Sequence, residues 1–319
     1  MNLPYGARLA SIAAASFFAV NLAAGVTSLA LERTLRRRST GCDPRRAAAI
    51  VLALRLGPCA LALAAVAILC VPSFLVLEPA ETSESASLVC LAMAILGIAL
   101  TAAGAARGVT AWLRSRRFEG SSQTLRLGAR RFPVRIVESP RPLLALVGVA
   151  PPTLVATRAA LRALKPEELD AALRHEQAHA VSRDNWKRLL MAMAPNLVPF
   201  GAGLRGLERS WARYAELAAD DRAVAGSARR SLALASALVR VARLGASSPT
   251  PLAASLMGDA SDLEARVERL LRAPSPAGNR SERRPWLWTI ASVAVAAAIC
   301  AAYPVLLTTV HELLERFMD

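Results

Sequence analysis

The sequence predicts a mainly α-helical membrane protein in which four transmembrane helices carry a cytoplasmic α+β domain between the third and the fourth. Four stretches are long and apolar enough to cross a bilayer, which takes about 20 helical residues at roughly 1.5 Å each. They are Leu9 to Leu31, Leu56 to Leu77, Ala86 to Ala106 and Trp286 to Leu307. The arginines cluster in segments that all fall on one side of such a bundle. Between the third and fourth stretches the pattern reads first as short strands and then as helices.

The first stretch follows a single basic residue, Arg8, runs longer than the apolar part of a secretory leader and shows no clear cleavage site, so a retained anchor is expected. Arg33, Arg36, Arg37, Arg38, Arg45 and Arg46 come after it, whereas Glu78 to Ser85 holds three glutamates and no basic residue. Positive charge marks cytoplasmic loops, so the first loop is inside and the second outside. Arg107, Arg114, Arg116 and Arg117 after the third stretch, and Arg280, Arg283 and Arg284 before the fourth, then lie inside as well. Both termini are expected outside. The net charge of +15 is thereby explained as a topology signal, and the expected partner is the lipid bilayer, with no direct binding of nucleic acid. Arg55 and Arg107, at the cytoplasmic ends of their spans, are expected to snorkel. Cys59, Cys70, Cys90 and Cys300 lie in apolar runs and no CxxC spacing occurs, so neither a disulfide framework nor a cysteine metal site is expected. The plan is a three-span region over residues 1–113, a cytoplasmic domain over 114–284, and a fourth span with a short outer tail over 285–319.

Within the domain, Pro133 to Glu138 and Leu143 to Val149 read as strands of a small sheet, separated by the turn signal Ser139-Pro140-Arg141-Pro142. A helix starts at Pro166, which suits the first helical position, with Glu167, Glu168 and Asp170 at the positive end of its dipole. Further helices are expected near Asn185 to Ala194, Leu204 to Ala225, Arg229 to Leu244 and Asp262 to Leu271. Leu189 to Leu204 is uncharged up to its end but holds Pro195 and Pro199 and is short for a span, so it reads as a buried or membrane-dipping hairpin.

The chemistry sits on the Pro166 helix. In His175-Glu176-Gln177-Ala178-His179 the two histidines are one turn apart on one face and can share a zinc ion. A catalytic zinc wants three protein ligands and an open position for water, whose pKa the metal lowers toward about 7. Glu176, next along the helix, is placed to act as general base. The motif takes two of the three histidines in the chain. A third ligand should lie on a helix downstream, where Glu216 and Asp220 share a face at i and i+4. Glu216 is the expected ligand, giving one zinc per chain. Asp220 is expected to orient a ligating imidazole. Glu208 and Asp221 are the rivals for these two roles, and a solvated acidic face is the plain structural alternative.

The arrangement resembles the gluzincin metallopeptidases, specifically the integral-membrane peptidase family M56 that includes the bacterial antibiotic-receptor proteases. The resemblance runs from about Pro140 to Leu271. It takes in the apolar lead-in at Leu143 to Thr157, the Leu164 to Leu169 approach, the His-Glu-x-x-His motif, Arg183-Asp184, the proline-containing apolar stretch and the Tyr214 to Asp220 block. It implies a zincin-like fold, His175, His179 and Glu216 as zinc ligands, Glu176 as catalytic glutamate and Asp220 as the ligand-orienting aspartate. It also implies a bacterial inner-membrane endopeptidase acting on a protein substrate at the cytoplasmic face, the substrate being a transcriptional repressor or the protease itself. Membrane quality-control and prenyl-protein gluzincins share the two motifs and form the alternative, and an inactive signal transducer is a further one. Arg213, Tyr214 and Arg222 flank Glu216 and are the candidates to stabilise an oxyanion. The antibiotic receptors carry a sensor domain where this chain has only about Thr308 to Asp319, so β-lactam binding is not expected.

Overall fold

The computed structural model describes residues 4–38, 43–78, 87–116, 123–125, 134–139, 143–196, 203–245, 260–272 and 303–314. Three helical rods dominate the N-terminal part. They are α1 (Tyr5–Arg38), α2 (Pro44–Ala65), which continues through a π turn (Val66–Cys70) into α3 (Val71–Leu77), and α4 (Leu88–Arg116). Three helices in this part are long and apolar enough to cross a membrane: Tyr5–Thr34, Pro44–Leu77 and Leu88–Ser115. Leu61, Leu63, Ile68, Val76, Leu88, Ile95 and Ile98 are each more than half exposed on these helices, a surface that fits lipid and would be costly in water. The chain is thus consistent with a membrane protein. The fourth expected span, Trp286 to Leu307, lies outside the described residues except for its end, which is helical within a segment, α11, covering 303–314.

The rods outrun the bilayer. The 34 residues of α1 rise about 51 Å at 1.5 Å each, against a hydrocarbon core of about 30 Å. Apolarity marks only the lipid-crossing part, which is why the helices extend several residues past the spans read from sequence. One end of the bundle is closed by Ile12, Ala15, Cys70, Phe74, Cys90 and Ala94, beside a buried ion pair of Arg8 Nη1 and Glu78 Oε1 at 3.1 Å. Pro72 has no N–H to give the Ile68 carbonyl four residues earlier, and that carbonyl accepts the Tyr303 hydroxyl of α11 at 2.7 Å.

At the other end the domain packs directly on the rods. Val51 of α2 shares a core with Met191, Leu204, Leu207, Trp211 and Ala215. Arg55 is a correction to the snorkelling expectation. It is 1% exposed, donates to Met191 O at 2.6 Å and Ala194 O at 3.0 Å, and pairs with Glu208 at 2.9 Å. The last turn of a short helix and the start of a long one supply acceptors for its Nε and Nη2 inside the protein, so the side chain turns inward instead of reaching for the headgroups. On α4, a Cβ at Gly104 would lie 2.3 Å from Met193 O and one at Gly108 2.2 Å from Met193 Cγ, so the two glycines admit the close approach of the chain around Met193. Of the expected Leu189 to Leu204 hairpin, residues 197–202 lie outside the described residues, and the rest is anchored by these contacts.

The sheet has the order β1-β2-β4-β3, with β1 (Gln123–Leu125), β2 (Val134–Val137), β3 (Leu144–Val147) and β4 (Thr153–Thr157). β4 is parallel to β2 and antiparallel to β3. The two strands read from sequence are present but not adjacent, because β4 slots between them and leaves β3 at the edge. After α5 (Arg158–Ala163), α6 (Pro166–Ser182) packs Leu173 onto Val134, Leu144, Leu154 and Ala156 of the sheet. The Glu168 carboxylate accepts the Lys165 N–H at 2.9 Å at the start of α6. Arg183, at φ 54°, ends it. α7 (Asp184–Met193), α8 (Arg205–Val224), α9 (Ala228–Gly245) and α10 (Ala260–Leu271) follow, each within a few residues of its expected span.

Candidate metal centre

α6 and α8 bring the expected ligands together. His175 and His179 are buried, and their Nε2 atoms face each other at 3.2 Å. Glu216 comes from α8, with Oε2 at 3.3 Å from His175 Nε2 and Oε1 at 3.5 Å from His179 Nε2. The other ring nitrogens are held from behind by carboxylates. His179 Nδ1 bonds Asp184 Oδ2 at 2.8 Å, and His175 Nδ1 lies 2.9 Å from Asp220 Oδ1, close in distance though not aligned as a hydrogen bond. Both carboxylates are backed by cations: Lys187 Nζ donates to Asp184 at 2.9 Å, and Arg266 of α10 grips Asp220 with Nε at 2.9 Å and Nη2 at 2.8 Å.

The residues fit a metal ion. Protons on the two Nδ1 atoms, facing carboxylates, leave two lone pairs aimed at one another, an arrangement that asks for a cation between them. Both Glu216 oxygens are buried and accept no aligned hydrogen bond, with Arg266 Nη1 standing 3.1 Å from Oε2 as an ion pair. Two ligands at zinc's usual bond length of about 2.1 Å and tetrahedral angle stand about 3.4 Å apart, and the three separations here are 3.2, 3.3 and 3.5 Å. His175, His179 and Glu216 are accordingly a group that could bind a metal.

The electrostatics follow the same layout. Burial works against a charge on His175, but Asp220 and Glu216 outweigh it and hold its proton above the ordinary range. The same balance, with Asp184 and Glu216, raises His179 to about 10. Burial would raise Glu216, yet the two imidazoles keep its carboxyl well below the usual range. For Asp220 burial is outweighed by Arg266 and then His175. Glu176 is different: burial dominates and pushes its carboxyl up.

Glu176 is buried on the same helix, and its Oε2 accepts the Leu146 N–H of the edge strand at 3.0 Å. Asn185 Nδ2 donates to Leu146 O at 3.1 Å and Gly148 O at 2.7 Å. An apolar pocket lined by Leu144, Ala172, Leu234, Leu238 and Val241 opens beside His175 and Glu176. Of the oxyanion candidates, Arg213 pairs with Asp262 at 3.4 Å, Tyr214 packs in the α2–α8 core, and Arg222 donates to Ser182 Oγ and Ala178 O at the end of α6. The cations in contact with Glu216 are instead Arg188, 3.6 Å from Oε1 and stacked over Trp211, and Arg266, 3.1 Å from Oε2. Glu208, the rival ligand, pairs with Arg55, and Asp221, the rival orienter, pairs with Arg269 at 2.7 Å. Sequence reasoning named Asp184 only as part of the resemblance, with no role at the site, and passed over Asn185, Arg188 and Arg266. Asp184 had a usable signal, as the first carboxylate after the helix stop.

No family model, curated protein or solved structure matches the chain.

Proposed function

We propose that this chain is a membrane-anchored zinc endopeptidase of the gluzincin kind, with a fourth span completing its bundle and its zincin-like domain facing the cytoplasm of a bacterial cell. The observation that carries the reading is the convergence of His175, His179 and Glu216, each imidazole backed by a carboxylate, with Glu176 one residue along the same helix. Zinc held by these three residues would act as a Lewis acid on water and on the scissile carbonyl. Glu176 takes a proton from the attacking water and passes it to the departing amine nitrogen, so that one water and one peptide bond become a carboxylate and an amine. Its raised proton affinity suits both transfers. Arg188, half-exposed beside Glu216, supplies positive charge at the mouth of the site.

The peptide has a natural track. Thr157 N donates to Leu143 O at 2.8 Å, so alternate residues of β3 bond to β4, and Leu144 and Leu146 turn their backbone groups to the outer edge, which no strand among the described residues pairs. An extended segment lying along that edge passes the metal helix. By resemblance, a transcriptional repressor or the chain itself is the substrate. The test is elemental analysis of purified protein together with proteomic comparison of wild type and Glu176→Gln. About one zinc per chain in both, with cleavage products in the wild type alone, is expected. Absence of zinc from the wild type, or cleavage by Glu176→Gln at the wild-type rate, refutes it.

A further inference from the structure

Leu146 has both of its outward backbone groups taken by side chains of α6 and α7. Its N–H goes to Glu176 Oε2 at 3.0 Å and its C=O to Asn185 Nδ2 at 3.1 Å. An added strand pairs through the same two groups, donating to the C=O and accepting from the N–H. We infer that Glu176 is latched to the outer edge of β3 and that an extended peptide pairing with Leu146 releases it, so that binding of a peptide backbone sets the base free. The inference rests on the reading of the site as a peptidase centre.

The two contacts are unequal. Asn185 also holds Gly148 O at 2.7 Å, so it keeps its grip on the end of β3 when it gives up Leu146 O, and it is a positioning residue for the strand. Glu176 is tied to β3 through the Leu146 N–H. Once a peptide carbonyl takes that N–H, the carboxylate has lost its partner on the sheet while α6 still holds it beside His175 and His179. Being buried, it turns to the water and amine of the reaction. A molecule without an extended backbone leaves the latch closed. The apolar pocket begins at Leu144, next to Leu146 on the same face of the strand, and is walled by Leu234, Leu238 and Val241 of α9. The ligand class is therefore an extended segment with a small apolar side chain at the neighbouring position.

Two measurements on the full-length protein in detergent test the latch. Amide hydrogen exchange at Leu146 reads it without any peptide or cleavage. Glu176→Gln keeps an acceptor for the N–H, whereas Glu176→Ala removes it and Glu176→Asp falls one methylene short. Exchange is expected to be slow in wild type and Glu176→Gln and about 2- to 10-fold faster in the other two, the worth of one hydrogen bond. The zinc-loaded variants are then titrated calorimetrically with acetyl-Leu-Ala-Leu-Ala-Leu-Ala-amide. Glu176→Ala and Glu176→Asp should bind it about 2- to 10-fold tighter than Glu176→Gln, because no latch competes, and a fully N-methylated version of the peptide should bind none of them. Equal exchange in all four proteins, equal affinity among the variants, or no binding by any of them overturns the inference. Zinc content and cleavage test the peptidase reading separately, since exchange at Leu146 is read on the zinc-free protein without peptide or turnover.

Discussion

Asp220→Asn is the sharpest test of how the second half of the site is built. The Asp220 side chain is 1% exposed, 2.9 Å from His175 Nδ1, and clamped through two hydrogen bonds by Arg266. The amide keeps one acceptor oxygen but removes the charge that holds the imidazole proton and neutralises Arg266. Breaking a buried ion pair from one side costs about 3–5 kcal/mol, and the retained oxygen puts the expected loss at the lower end. Losing a partner behind a metal-binding histidine lowers metal affinity about 10- to 100-fold, or about 1.4–2.7 kcal/mol. Asp221 is the internal control. It lies one residue further, pairs with Arg269 at 2.7 Å, and both side chains are more than a third exposed, so Asp221→Asn should cost no more than about 0.5 kcal/mol. Zinc competition against a chromogenic chelator, with thermal melting of the same samples, separates the two. If Asp220→Asn and Asp221→Asn lose zinc equally, the assignment of Asp220 behind His175 is wrong.

Proton release should accompany zinc uptake, because without the metal both imidazoles hold their protons above the ordinary range, His179 up to about 10. Their contribution to the stability of zinc-free protein is full below about pH 6.5 and lost as pH rises through about 10, whereas zinc affinity rises over that window. Calorimetry at pH 7.5 in two buffers of different ionisation heat should show about one proton or more released per zinc, and a buffer-independent heat refutes it. Reporter fusions at Glu81, Gln123 and Met318 should report outside, inside and outside from the arginine distribution. A Gln123 fusion reporting the outer compartment reverses the orientation.

What was legible in the sequence was local. Pro166 with its acidic first turn, the one-turn spacing of His175 and His179, and the i, i+4 pair Glu216 and Asp220 each announce a helix face, and each face is where the spacing put it. What escaped depends on contacts distant in sequence. Arg266 is 46 residues from Asp220 and looks on its own helix like any arginine of an amphipathic surface. Thr153–Thr157 follows Pro151-Pro152 within an apolar run, and nothing in the turn residues around it shows that it inserts between the two strands read from sequence and pairs in parallel with β2. Arg183 ends α6 in the left-handed region without a glycine, so the sharp turn that folds Asp184 back under His179 had no glycine to mark it, and only the position of Asp184 just past the helix pointed to it.

The boundary expected between residues 113 and 114 separates segments of sequence, but it does not separate cores. α8 carries Glu216 and Asp220 on one face and lays Leu207, Trp211 and Ala215 against Val51 of α2 on another. Arg55 of the same helix ties the end of α7 to Glu208 of α8, and Met193 at that end is pressed onto Gly104 and Gly108 of α4. α7 in turn holds Asp184 behind His179. Burying one large apolar side chain is worth about 1.5–3 kcal/mol, so parting Leu204, Leu207, Trp211 and Met191 from α2 forfeits up to on the order of 10 kcal/mol. That approaches the whole stability of an ordinary domain, about 5–15 kcal/mol. The candidate membrane helices therefore form one wall of the domain that holds the candidate metal site, and the position of Glu216 relative to the two histidines is set in part by α2.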